Sequence, residues 1–143
     1  MADAFDGAQV AVQISDDGRF EVTMQQPGML RPLRTAELSD GTLRFLMWAV
    51  ALLTPRPPPL MVLNEPETSL HPDLLPALGA LIARASRETQ LIVVSHAMRL
   101  VAAIEDAAPA DVCQRIELEK SLGETVAQCH GACDAPQWHW PER

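Results

Sequence analysis

Apolar and polar positions alternate twice near the start of the chain, over Gln9–Ile14 and Arg19–Met24, with "SDDG" between the two runs. A period of two marks a half-buried strand, and Asp-Asp-Gly between two such runs predicts a hairpin. A loop with Pro27, Gly28 and Pro32 follows. Thr42–Leu53 ("TLRFLMWAVALL") is apolar almost all round, which predicts a buried helix. "TPRPPP" at 54–59 ends it, because proline cannot continue a helix. Leu60–Leu63 then reads as a short buried strand.

From Asp73 to Ala85 the apolar positions Leu74, Leu75, Leu78, Leu81, Ile82 and Ala85 follow the helical period. Pro72 and Pro76 fall near the first turn, where a missing N–H costs little. "LIVV" at 91–94 predicts a second buried strand, and Ala97–Glu105 a further helix. Val112–Lys120 and Glu124–Cys129 flank "SLG" and predict a closing hairpin. Strand, helix, strand, helix between residues 60 and 105 predicts an α/β fold with a parallel βαβ core and flanking β-hairpins.

Composition narrows the function classes. A length of 143 residues suits a single domain over 1–143, and 48% hydrophobic residues suffice for a core. A net charge of −8 argues against direct binding to nucleic acid or anionic membrane, so DNA is expected only through a partner. No signal-peptide pattern opens the chain and no apolar stretch is long enough to span a bilayer, so no membrane insertion and a cytoplasmic location are expected. Three cysteines, all after residue 110, do not make a disulfide framework. Cys113, Cys129, His130 and Cys133 lack the paired spacing of a zinc site, and incidental thiols are the better reading. The tryptophans of "WHWPER" suit packing of the tail better than a binding epitope.

In parallel sheets, ligands bind beyond the carboxyl ends of the strands. Here "MVL" runs into Asn64 and Glu65, and "IVV" into Ser95 and His96. If the two strands are neighbours, Glu65 and His96 share one edge. There a carboxylate can orient a water and an imidazole can donate to an anionic oxygen. A lone glutamate at that place also serves as a helix N-terminal charge, and a lone histidine as a satisfied strand end. It is their pairing that points to a site. "LSDGTLRFL" sets Ser39, Asp40, Gly41 and Thr42 at a helix start, whose free N–H groups attract anions. Taken alone, that stretch is better read as a plain Ser or Asp N-cap. Glu67 and His71 in "ETSLHP" can be drawn as a metal pair, although a turn leading into the next helix explains them better.

The order of these parts resembles a known family. "LSDGT" looks like the signature motif of ABC-type ATPases. "LMVLNEPETSLHP" looks like their Walker B strand, catalytic glutamate and D-loop, and "LIVVSH" like the strand and histidine of the switch. The nearest flavour is the ABC-like AAA group related to RecF, SMC proteins and the overcoming-lysogenisation-defect nucleases, and residues 36–104 carry the likeness. It implies a partial P-loop NTPase fold of ABC type and hydrolysis of ATP with Mg²⁺. Under it, Glu65 would polarise the attacking water and His96 would contact the γ-phosphate. Ser39 and Gly41, with Asp40 and Thr42 beside them, would bind the γ-phosphate of a nucleotide held by a second protomer. Thr68, Ser69, Leu70 and His71 would cross the dimer interface.

Two departures qualify the resemblance. The usual Walker B aspartate is Asn64, which brings no negative charge to Mg²⁺. No G-x-x-x-x-G-K-[ST] occurs, and Lys120 is the one lysine of the sequence. The chain therefore reads as the C-terminal lobe of an ABC-like ATPase, with a motif core at 36–105 and a hairpin and tail at 110–143. Such a lobe would be inactive alone and complete in a homodimer or with a P-loop-bearing partner chain. The alternatives are a non-catalytic dimerisation or regulatory module, or a truncated remnant.

Overall fold

A computed structural model describes residues 4–5, 7–14, 17–109, 112–121 and 123–130. They fall in two units, 1–108 and 109–143. The C-terminal Trp residues and Cys133 lie outside the described residues, as do the side chains of Cys129 and His130.

In the first unit, β1 (Gln9–Ile14) and β2 (Phe20–Gln25) form the expected antiparallel hairpin, with Val12 opposite Val22. A two-residue strand β3 (Leu33–Arg34) pairs with β2 through Thr23 and Met24, inside the stretch read from its prolines as a loop. A 3₁₀ turn (Thr35–Glu37) then leads into α1 (Asp40–Leu52). Glu37 makes that approach rigid. Its carboxylate takes two hydrogen bonds from the Arg31 guanidinium, at 2.8 and 2.7 Å, and one from the Arg34 N–H. Those contacts hold its pKa down at about 2.

β4 (Leu60–Asn64) and β5 (Gln90–Val94) pair in parallel, with Asn64 opposite Val94. Between them run a 3₁₀ turn (Pro72–Leu74) and α2 (Leu75–Ala85), and α3 (Met98–Ala107) follows β5. The βαβ unit expected from the sequence is therefore present. Phe45 and Leu52 of α1, Leu63 of β4, Leu75, Leu78 and Ile82 of α2 and Leu100 of α3 form one core. Gly79 lets α2 and α3 approach closely, because a Cβ there would lie 2.7 Å from the Ala103 Cβ.

Two expectations of burial need correction. α1 is not buried all round: Phe45, Ala49 and Leu52 face the core, while Met47 and Val50 on the opposite side are 70% and 75% exposed. Strands β4 and β5 are each covered on one face only. Leu63 is buried, and Met61, Leu91 and Val93 pack against the core. Leu60, Val62, Ile92 and Val94 point the other way and are exposed. An apolar run does not reveal which of its faces is covered, and here the three helices supply cover on one side of a two-stranded sheet.

The second unit contains the antiparallel hairpin of β6 (Arg115–Ser121) and β7 (Glu124–His130), with Ser121 opposite Glu124. Gly123 takes a φ of 90° in its two-residue turn, a conformation that glycine adopts without a steric cost.

Candidate functional site

The parallel register brings the two strand ends together. Opposite Val94, β4 continues for one more ladder bond, from the Glu65 N–H to the Val94 carbonyl at 2.8 Å. Glu65 then turns the chain off the sheet with a φ of 45°. For a residue with a Cβ this left-handed conformation is costly, and such strain collects at working sites. His96 follows β5 after a single residue, and its Nε2 lies 3.4 Å from the Glu65 Oε1. Both side chains are open to solvent, at 84% and 46%, so the contact itself contributes little stability. Asn64 is exposed beside them.

After the buried Pro66 the chain makes a compact turn, closed by bonds from Thr68 N–H to Glu65 O and from Leu70 N–H to Glu67 O. Ser69 adopts a φ of 65° within it. His71 caps the following 3₁₀ turn, its Nδ1 accepting from the Asp73 N–H at 3.3 Å. Glu67 is directed elsewhere. Its Oε1 accepts from Ser95 Oγ at 2.8 Å, from the His96 N–H at 2.9 Å and from the Ala97 N–H at 3.2 Å. Burial pushes the Glu67 carboxyl up, but these donors and its own N–H outweigh that effect and hold the pKa below the usual value. Glu67 and His71, drawn from the sequence as a metal pair, are thus engaged with different partners. No group of three or more ligating side chains suited to a metal occurs among the described residues.

The start of α1 forms the third part. Ser39 is its N-cap, with Oγ accepting from the Thr42 N–H at 3.1 Å and lying 2.8 Å from the Thr42 Oγ1. The N–H groups of Asp40 and Gly41 are the first two of the helix and have no acceptor within it. They suit an oxyanion. The Asp40 carboxylate favours the helix dipole but opposes any anion bound at the same place. Gly41 is pressed against the turn after β4: a Cβ there would lie 2.9 Å from the Ser69 carbonyl oxygen. Arg44, one turn on, donates to the Thr68 carbonyl at 3.3 Å.

The start of α1 offers a phosphate group two helix N–H groups and a serine hydroxyl, and the strand-end set separately offers an imidazole. For Mg²⁺ the strand-end set is partial, since Asn64 and Glu65 offer side-chain oxygens but a single carboxylate between them. Such an ion would take most of its six ligands from water and phosphate. Sequence reasoning singled out Glu65 and His96, which the structure brings together, and the helix start, but it did not anticipate the contacts of Glu67 and Arg44. One signal for Glu67 was legible: Ala97, which precedes α3, has no side chain able to cap it.

Residues 3–102 match the family model described as "AAA domain, putative AbiEii toxin, Type IV TA system". No curated protein matches the chain. Solved structures do. An SMC ATPase, described for ATP-driven dimerisation and DNA-stimulated activation, aligns at 16% identity with a TM-score of 0.68, over 91% of this chain and 78% of that one. The Smc head domain of Pyrococcus furiosus, with an extended coiled coil and bound to the C-terminal domain of ScpA, aligns at 18% identity and 0.67, over 90% of this chain and 32% of that one. The SMC head domain of Thermotoga maritima aligns at 21% and 0.60, over 92% and 44%. The fold is thus that of the SMC-type P-loop ATPases, and the chain spans less than half the length of the two Smc heads.

Proposed function

This chain belongs to that AAA-domain family, and on that premise we propose that residues 36–105 supply one part of a composite ATP-hydrolysing site. In this reading Glu65 orients the attacking water and His96 donates to the γ-phosphate, with Asn64 on the metal side. Ser39, Asp40, Gly41 and Thr42 meet the γ-phosphate of a nucleotide carried by a second protomer, and Thr68, Ser69, Leu70 and His71 line the junction. ATP supplies the phosphoryl group and Mg²⁺ neutralises its charge, a reaction governed by positioning and electrostatics. The P-loop comes from chain outside these 143 residues, whether in the same polypeptide or in a partner. Residues 1–143 by themselves do not turn over ATP.

The observation that carries this reading is the 3.4 Å approach of Glu65 and His96 at the carboxyl ends of two parallel strands. The bare face of Leu60, Val62, Ile92 and Val94 supports it, since a lobe that works with a second lobe needs an apolar surface to pack on it. That face also favours the second reading, a dimerisation module without catalysis.

Mixing the chain with a P-loop-bearing lobe of the same family separates the two. The first reading expects ATP- and Mg²⁺-dependent turnover that Glu65→Gln reduces by about a hundredfold or more. It also expects Val62→Asp to weaken assembly. Stable nucleotide-independent dimers of the chain alone, with no turnover in any mixture, favour the second. Among the described residues no helix is long and apolar enough to cross a membrane.

A further inference from the structure

We propose that Glu67 is a positioning residue: its carboxylate fixes the Ser95–Ala97 segment, and through it the His96 imidazole, against Glu65. The inference rests on the reading of Glu65 and His96 as the nucleotide-facing pair.

Packing does not orient that pair. The His96 side chain is 84% exposed, and its contact with Glu65 at 3.4 Å is too solvated to hold a ring in place. What is held is the backbone beneath the ring. One oxygen of Glu67 gathers Ser95 Oγ, the His96 N–H and the Ala97 N–H within 3.2 Å. Ser95 Oγ in turn accepts from the Ala97 N–H at 3.1 Å, which closes a small ring of bonds. α3 begins here without a side-chain cap and without an acidic residue in its first turn. The carboxylate that meets the His96 and Ala97 N–H groups, just ahead of the helix, therefore comes from the turn after β4.

Two further features set Glu67 apart from an ordinary cap. Its Oε2 is buried and has no hydrogen-bond partner among the described residues. A buried unpaired acceptor costs free energy, which the bonds gathered at Oε1 must offset. The turn that carries Glu67 is also clamped from the far side by Arg44 on the Thr68 carbonyl and by Gly41 against the Ser69 carbonyl. Glu67 is thus the strut by which the start of α1 and the loop of His96 keep a common geometry.

The test uses nuclear magnetic resonance and amide exchange on the full chain, with no nucleotide present. In the parent chain, Glu65→Gln should move the His96 ring signals. In Glu67→Ala, the His96 and Ala97 amides should exchange at least tenfold faster while those of Leu78 and Ile82 do not change. The His96 ring should then cease to respond to Glu65→Gln. In Glu67→Gln, whose carbonyl oxygen can accept the same bonds, both the protection and the response should return. A ring response that persists in Glu67→Ala, or an Ala97 amide that stays protected, overturns the proposal. If Glu67→Ala accelerates exchange at Leu78 and Ile82 as well, the molecule has opened globally and Glu67→Gln decides: a retained response supports the proposal and a lost one overturns it. Because no readout involves ATP, failure here leaves the ATPase reading intact, and absence of turnover in a mixed assembly leaves this result intact.

Discussion

Glu65 and His96 lie 3.4 Å apart although a 3₁₀ turn, α2 and β5 intervene in sequence, because the parallel register sets Asn64 opposite Val94 and both residues leave the sheet at one edge. The backbone creates this proximity, and the solvated side-chain contact merely occupies it. His96→Ala and Glu65→Gln are therefore each expected to change the unfolding free energy by less than about 0.5 kcal/mol. Urea denaturation measures this. A loss above about 2 kcal/mol from either would mean that the pair helps hold the fold.

Gly41 is required for close approach, and its place at a helix start tells only part of its role. A methyl group there would stand 2.9 Å from the Ser69 carbonyl, so either α1 or the turn of residues 65–71 must shift. Gly41→Ala should cost about 1–3 kcal/mol through overpacking. The amides of Thr68 and Leu70 should show the largest shifts, and a silent substitution would contradict the contact.

Ser39 has two roles that a pair of substitutions can separate. As the cap of α1 it accepts from the Thr42 N–H, so Ser39→Ala should lose about 1 kcal/mol. Ser39→Asp keeps an acceptor and adds favourable charge at the helix start, so stability should be maintained. A second carboxylate beside Asp40 should nevertheless repel an incoming phosphate. In an assembled site Ser39→Asp should weaken ATP-dependent association at least as much as Ser39→Ala. If association follows helix stability instead, Ser39 is a cap and nothing more.

The helical and strand periods made most elements legible, and the order of the motifs made the strand-end pair legible. What escaped were features that depend on tertiary neighbours. β3 is two residues long and exists because Leu33 and Arg34 find Met24 and Thr23, which no local pattern encodes. Exposure of Met47, Val50, Val62 and Ile92 was hidden because an apolar run looks the same whether one face or both are covered. Glu67 was read within its own turn, yet its partners Ser95, His96 and Ala97 belong to the next strand–helix junction. The strand-end geometry behind Glu65 and His96 follows from a general rule of parallel sheets. The strut beneath them follows from no rule of sequence.

Acid should weaken the molecule through its depressed carboxylates. Glu37, paired with Arg31 and the Arg34 N–H, is held at about 2, and Glu67 is also lowered. A carboxyl whose folded pKa lies below its unfolded value, about 4.3, stabilises fully above that value. The contribution is lost as pH falls through the folded pKa. The urea midpoint should therefore decline from pH 5 towards pH 2, and Glu37→Gln should flatten the decline. A midpoint that rises over this range, or an unchanged slope in Glu37→Gln, would contradict the assignment.

The φ of 45° at Glu65 yields the sharpest separation of stability from function. A left-handed conformation costs a residue with a Cβ about 1–2 kcal/mol, whereas glycine adopts it freely. Glycine returns part of that gain through the greater entropy of its unfolded chain, about 0.5–1 kcal/mol. The side chain lost in Glu65→Gly is exposed and makes one weak pair, so little else opposes the gain. Glu65→Gly should therefore raise the unfolding free energy by about 0.5–1 kcal/mol while removing the carboxylate on which the proposed hydrolysis depends. Ser69→Gly, at a φ of 65° in the same turn, is the control and should give a similar gain with the carboxylate intact. If Ser69→Gly stabilises and Glu65→Gly does not, the Glu65 side chain supports the fold and the reading of its strained backbone as a cost borne for chemistry fails.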